Sequence, residues 1–372
     1  MSSENKALIL VPHSHRLGGI RNYYQAIKKF SDRFEYINRG EAKKDEYFLL
    51  KFFRLIRNYI TYLKKIYIQS NIKVIIYNTS LGRKGILRDG VYILLTRLTP
   101  INKEIVFFRG WNPSFEKKIE DSIVKKMWLR KTFLNADHII VLSTDFKKKL
   151  YEWGYVGPIS VETTIVDEKL IGGLHFKHLL NHRKEIDTIN LLYVGSIHKE
   201  KGVRELIESI EILKKRRKFN SFQLNMAGVG SDFVLLRDKA IVKNLPVNLL
   251  GCVKGVKKSD TFKNAHIFVF ASYHEGMPNS VLEAMAFGLP VITTRVGGIP
   301  DFFEDGKMGL FLDSRNPEHI AERIQYLLAR PDLMEKMSRY NYEYAKEHFY
   351  ASKVAKRLER IIDEVISNGD KY

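Results

Sequence analysis

The sequence predicts an α/β chain with two doubly wound parallel-sheet domains, and three observations carry that expectation. Short apolar runs rich in β-branched residues alternate with helical stretches along the chain, the pattern of strands buried on both faces. Several runs end in polar, glycine-bearing loops that open a helix, the arrangement with which open α/β sheets hold anionic groups. At 372 residues the chain exceeds one ordinary core and suits two domains.

In chain order, Ala7–Pro12 reads as a first buried strand, entering His13-Ser-His-Arg-Leu-Gly18-Gly19 and then a helix to about Phe30. Gly18 and Gly19 suit either close approach of a ligand to a helix N-terminus or a plain tight turn. Residues 43–67 alternate apolar and basic side chains at helical spacing. Such a helix buries one face and turns Lys51, Arg54, Arg57, Lys64 and Lys65 outward, toward water or toward anionic lipid. The basic excess continues through Arg83, Lys84, Arg88, Arg97, Lys117, Lys118, Lys125, Lys126, Arg130 and Lys131, which tilts the charges toward a membrane. Further strands are expected at 74–77, 105–108 and 138–142. Arg109-Gly110-Trp111-Asn112-Pro113 follows a strand end, as a ligand-facing segment or a Gly/Pro turn.

The first domain is assigned to residues 1–170 and the interdomain linker to 171–188, where the pattern breaks. His175, His178 and His182 fall about a turn apart there with no carboxylate or cysteine to complete a metal face, so they read as surface histidines. The second domain, 189–350, opens with the strand Ile189–Gly195, the loop Ser196–Gly202 carrying Lys201, and a helix from Val203. Strand ends follow near Gly228 and Val253. Then comes Ser272–Gly288, a loop and helix between the apolar runs 267–270 and 289–292. Ser280 with Glu283 three residues on reads as a capping box for a helix over 281–287. Gly297-Gly298-Ile-Pro-Asp301 makes another glycine turn, 309–312 a last strand, and the remainder is helical, with 351–372 set apart as a C-terminal helix.

Composition limits the partners. A single cysteine, Cys252, rules out an intrachain disulfide and a cysteine-based metal cluster and points to a reducing compartment. The start lacks a basic segment followed by a long apolar run, and no apolar stretch is long enough for a bilayer, so a cytoplasmic protein is expected. The net charge of +20 calls for an anionic partner: nucleic acid, a membrane surface or phosphorylated small molecules. No zinc-finger, RNP-type or basic-zipper pattern accompanies it, so nucleic acid is not expected.

Taken together, Gly195-x6-Gly202 with Lys201, Glu275-Gly-Met-Pro-Asn-Ser-Val-Leu-Glu283 and Gly297-Gly298-Ile-Pro-Asp301 resemble glycosyltransferase family 4, the retaining nucleotide-sugar transferases of GT-B fold. The resemblance covers the second domain. In the first it is limited to Gly18-Gly19 and general layout. It implies two Rossmann-like domains facing across a cleft, with the donor mostly on the second and the last helix returning to the first. It also implies that Glu283 binds the ribose hydroxyls and Lys201 neutralises the diphosphate. Glu275 and the backbone of Gly276, Met277, Pro278 and Asn279 would hold the sugar. On this basis the chemistry is expected at Lys201, Glu275 and Arg109, and further donor contacts at Gly18, Gly19, Ser196 and Ser280. The co-substrate is a nucleotide sugar, UDP-linked by expectation. The acceptor is a glycan or polyprenyl-linked glycan, and the setting is the cytoplasmic membrane face with peripheral contact to anionic lipid.

No cofactor or metal is expected: the chain has no Asp-x-Asp pair, and a lysine with helix N-termini can meet the phosphate charge. Two departures stand out. Ser196 occupies the place where relatives carry an arginine, leaving Arg295 or Arg109 to compensate, and Arg109 stands where many relatives carry a histidine. They motivate an alternative of a different class, a non-catalytic sugar-nucleotide-binding scaffold or sensor.

Overall fold

A computed structural model describes residues 5–12, 19–39, 48–69, 71–101, 103–216 and 221–367, apart from the side chains of 48–52. The chain divides into two compact units, Met1–Thr163 together with Ala351–Tyr372, and Thr164–Tyr350.

The first unit holds β1 (Lys6–Pro12), β2 (Phe34–Arg39), β3 (Ile72–Leu81), β4 (Glu104–Trp111), β5 (His138–Val141) and β6 (Ile159–Val161). They form one parallel sheet in the order β2-β1-β3-β4-β5-β6. The central strands are the apolar runs read from the sequence, and their side chains are buried. The edge strands β2, half-polar, and β6, three residues long, carry no such run because only one side of an edge strand needs a neighbour. The segment 109–111 continues β4 instead of forming a turn, and Asn112 caps the next helix by accepting from the Phe115 N–H.

One face of this sheet is covered by the helices Phe48–Ile68, Arg83–Thr96 and Ile123–Lys131, which contribute Tyr62, Ile66, Tyr92, Ile93 and Leu129 to a common core. The long helix differs from the expectation of an apolar inner and basic outer face. Its outer side carries Phe53, Ile56, Ile60 and Tyr67 among the basic residues, while Lys65 turns in to Glu35 and the Tyr36 carbonyl. Residues 43–47 and the Lys51 side chain lie outside the described residues. The helix Ala351–Ser367 also belongs to this unit, packing Val354, Leu358 and Ile362 inward and pairing Arg357 with Glu162 at 2.9 Å.

The second unit holds β7 (Ile189–Val194), β8 (Phe222–Ala227), β9 (Val247–Gly251), β10 (Ile267–Phe270), β11 (Val291–Thr294) and β12 (Gly309–Leu312). Its parallel sheet runs β12-β11-β10-β7-β8-β9. The unit begins at Thr164, so residues 171–188 are not a free connection. The helix Phe176–Lys184 delivers Arg183, whose buried guanidinium donates to the carbonyls of Phe262, Lys263, Phe287 and Gly288. These are helix-end carbonyls that lack intrahelical partners, and a cation there also meets the negative ends of two helix dipoles.

Three buried groups make stability depend on pH. Burial pushes the Glu104 carboxyl up to about 7 against the opposing pull of Arg97, and Asp89 up to about 6 against Arg88. Burial holds the His138 imidazole down to about 4. The carboxyls favour the folded state protonated, so their contribution is full below the ordinary carboxylate range and is lost as pH rises through about 6 to 7. The imidazole favours it neutral, so its contribution is present above 6.5 and lost as pH falls through about 4. Glu104→Gln should therefore gain on the parent by up to about 3 kcal/mol as pH rises from 5 to 8. Denaturant titrations across that range check this, and a constant difference would contradict it.

Candidate active site

The carboxyl ends of β7, β10 and β11 carry three loops whose backbones touch. After β7, Tyr193 donates its hydroxyl to the Ser196 carbonyl at 2.8 Å and holds the start of the first loop. The loop ends in a turn, Lys199–Lys201, closed by Gly202 at φ +68. A Cβ on Gly202 would lie 2.1 Å from the Ala271 carbonyl oxygen, directly after β10. The left-handed conformation and the close approach both demand glycine. The Glu200 carbonyl accepts from the Tyr273 N–H at 2.9 Å, completing the join. After β11, Gly297 at φ +57 would place a Cβ 2.3 Å from the Gly276 oxygen, and the Gly298 N–H donates to that oxygen at 2.7 Å.

This packing sets Lys201 against Glu275, with Nζ 2.6 Å from Oε1 and a longer bond to the His274 carbonyl at 3.4 Å. Neither side chain is sealed off: the lysine is 25% and the glutamate 14% exposed. A second acid–base pair lies on the following helix, Asn279–Ala286, where Glu283 Oε1 meets Lys258 Nζ at 2.6 Å. Burial raises the pKa of Glu283, while the neighbouring ammonium pulls it down.

The expected capping box is absent. The helix starts at Asn279 with Pro278 in the cap position and no side-chain cap, so Ser280 is already helical and Glu283 lies beyond the reach of a free N-terminal N–H. Pro278 has a fixed φ suited to opening the helix two residues earlier, and Glu283 is left to bind Lys258. Lys258, on the helix Gly255–Lys263, went unnoticed in the sequence because one lysine in a basic stretch has no distinguishing pattern. A third close approach of a glycine also lacked a signal: a Cβ on Gly228, after β8, would lie 1.7 Å from the Gly195 carbonyl oxygen.

Lys201, Glu275, Gly276, Met277, Pro278, Asn279, Ser280 and Glu283 are thus gathered on two adjoining loops and one helix, and Ser196 lies on the first loop. Arg295 packs on the Phe311 ring and has Asp305 and Asp313 at 3.9 Å, so its charge already has partners away from Ser196. In the first unit, Arg109 stacks 3.7 Å over the Tyr23 ring and 4.1 Å over Phe107, with its Nη1 buried and without a hydrogen-bond partner among the described residues. Burial pushes the Tyr24 hydroxyl beside it up to about 12. Gly19 opens the helix Gly19–Ile27, whereas Gly18 lies outside the described residues.

Two six-stranded parallel sheets flanked by helices, with this loop set on the second, give the chain the fold of solved GT-B glycosyltransferases. Residues 177–344 match the family model "Glycosyl transferases group 1". Among curated relatives, the capsular polysaccharide biosynthesis glycosyltransferase CapM of Staphylococcus aureus is 27% identical over 194 residues, 51% of this chain and 50% of CapM. A D-inositol 3-phosphate glycosyltransferase of Arthrobacter is 30% identical over 160 residues, 40% of this chain and 37% of the relative. The chain therefore spans half or less of the length of these two relatives. Among solved structures, Anabaena HepE in complex with UDP and glucose superposes with a TM-score of 0.73 at 14% identity, covering 97% of this chain and all of HepE's. Sucrose-phosphate synthase of Thermosynechococcus elongatus does so at 0.73 and 18%, covering 98% and 100%. At such identities the structures attest the fold.

Gly202→Ala should cost roughly 1–3 kcal/mol from the backbone conformation alone, with more from the contact at Ala271. Gly306, at φ +78 with open space around it, supplies a control. Its alanine variant should lose only the conformational part, as measured by urea titration, and equal losses in the two would contradict the packing argument.

Proposed function

We propose that this protein is a retaining glycosyltransferase that moves a hexose or N-acetylhexosamine from a UDP-sugar to a glycan, carried on polyprenyl lipid at the cytoplasmic membrane face. The observation that carries the reading is the Lys201–Glu275 pair, held at 2.6 Å between glycine turns at the carboxyl ends of β7, β10 and β11. A diphosphate supplies the anion that draws Lys201 from Glu275, which frees the carboxylate to accept hydrogen bonds from sugar hydroxyls. Glu283, buried one turn into its helix, is suited to accept from a ribose.

In the proposed reaction the bond from the anomeric carbon to the phosphate oxygen breaks with its electron pair going to phosphate. The acceptor oxygen bonds to the same face, and the acceptor proton passes to the departing phosphate oxygen. Lys201 stabilises the charge that develops there, so no metal or cofactor is assigned. Arg109, preset by the rings of Tyr23 and Phe107, is the cation we assign to the first unit's part in the chemistry. The complex of HepE with UDP and glucose supports a UDP donor, and the role of CapM in capsular polysaccharide supports a glycan acceptor. No helix among the described residues is long and apolar enough to cross a membrane, so the contact with lipid that we propose is peripheral.

Lys201→Ala should lower donor turnover at least about a hundredfold, and Glu283→Ala should weaken donor binding, both with melting curves close to the parent. UDP release from a panel of UDP-sugars is the measurement, and full activity in both variants would sink the assignment. A UDP-sugar at a hundred times its Kd should stabilise the fold by about 2.7 kcal/mol. Ser196, lacking the usual cation, favours the non-catalytic binder as a second reading, which stabilisation without any UDP release would support.

A further inference from the structure

We propose that the outer face of the first unit's helical layer is a docking surface for an anionic lipid bilayer. The helices Phe48–Ile68, Arg83–Thr96 and Ile123–Lys131 are knitted into one layer. Tyr59 donates to the Arg88 carbonyl at 3.4 Å, Tyr67 to the Leu98 carbonyl at 3.3 Å, and Trp128 to the Ile86 carbonyl at 3.1 Å. The inner side of that layer already fills the core of the sheet. Its outer side nevertheless exposes Phe53 at 65%, Ile60 at 48% and Tyr67 at 63% on the long helix, and Ile123 at 77%, Val124 at 76% and Met127 at 51% at the start of the third.

Single exposed apolar residues are ordinary on a protein surface. Here they recur at helical spacing on a helix whose opposite face is buried, and a helix apolar on both sides needs a second apolar neighbour. Charge selects that neighbour. The three helices contain one carboxylate, Asp89, which is buried between Arg39 at 2.9 Å and Arg88 at 2.8 Å. The nearby Glu120 and Glu152 are taken by Lys149 at 3.1 and 2.8 Å. Asp121 is an exposed acid just ahead of the third helix, but the helices themselves bring no acid to their outer side, where Arg57, Lys64, Lys125 and Lys131 stand exposed among the apolar side chains. A second copy of the chain would set like charges together. Nucleic acid would take the charge and leave the apolar residues in water. An anionic lipid interface meets both, with headgroups for the cations and the acyl boundary for the apolar residues. The surface gives the lipid-linked acceptor proposed above a place of approach and rests on that reading for nothing else.

The test is co-sedimentation of the full chain with phosphatidylglycerol-containing vesicles and with phosphatidylcholine vesicles. The parent should bind the anionic vesicles only. Lys64→Gln with Lys125→Gln should weaken partition about thirtyfold, from about 1 kcal/mol for each charge. Ile123→Ser with Val124→Ser, and separately Phe53→Ser with Ile60→Ser, should weaken it at least tenfold in salt high enough to screen the charges. Melting curves and UDP release from free UDP-sugar in solution should stay as in the parent for every variant. The proposal is overturned by a parent that ignores anionic vesicles, or by apolar variants that bind as the parent does. It is equally overturned if these substitutions dissociate a dimer of the parent, or if duplex DNA competes for the surface and the apolar variants still bind it. Vesicle binding without any UDP release would count against the transferase reading and leave this surface standing.

Discussion

Everything at the site depends on backbone lying against backbone at the carboxyl edge of the second sheet. Gly202 meets the Ala271 carbonyl, Gly297 the Gly276 carbonyl and Gly228 the Gly195 carbonyl, each at a separation no Cβ permits. The contacts lock four loops to one another independently of any side chain, and the two charged pairs are mounted on that frame. Lys201 reaches Glu275 because the Glu200 carbonyl is already bonded to Tyr273 N–H. Preorganisation of this kind means that a ligand need not spend binding energy ordering the loops.

The two units differ in how much the residues themselves disclosed. In the second, the glycine turns, the lysine and both glutamates stood at readable spacings, because a loop that must approach another backbone tolerates few residue types. In the first, strands buried on both faces were plain as apolar runs, whereas β2 and β6 were not, since edge strands satisfy one neighbour and vary in polarity. Pairings between distant positions left no trace either. Neither Lys258 beside Glu283 nor Arg183 beneath four carbonyls follows from any local pattern. The capping box at Ser280 was a valid local pattern overruled by Pro278, which opens the helix earlier.

Arg183 also corrects the domain plan. A polar, histidine-rich stretch reads as a connection, yet its guanidinium replaces water at two helix ends. Family likeness follows the same division: it covers residues 177–344 and so includes the helix that carries Arg183. The first unit is matched by shape, and on its surface the basic and apolar side chains of three helices stand together.

The helix Ala351–Ser367 has a consequence for the order of events during synthesis. It packs on the first unit and ties Asp363 to Arg33 and Arg357 to Glu162, across more than three hundred and nearly two hundred residues respectively. The second unit is one uninterrupted segment, 164–350, and can close as soon as it leaves the ribosome. The first must wait, with the side chains that will receive Val354, Leu358 and Ile362 uncovered, until the second has been made. Of the two units, the one whose sheet is made first is therefore the one completed last.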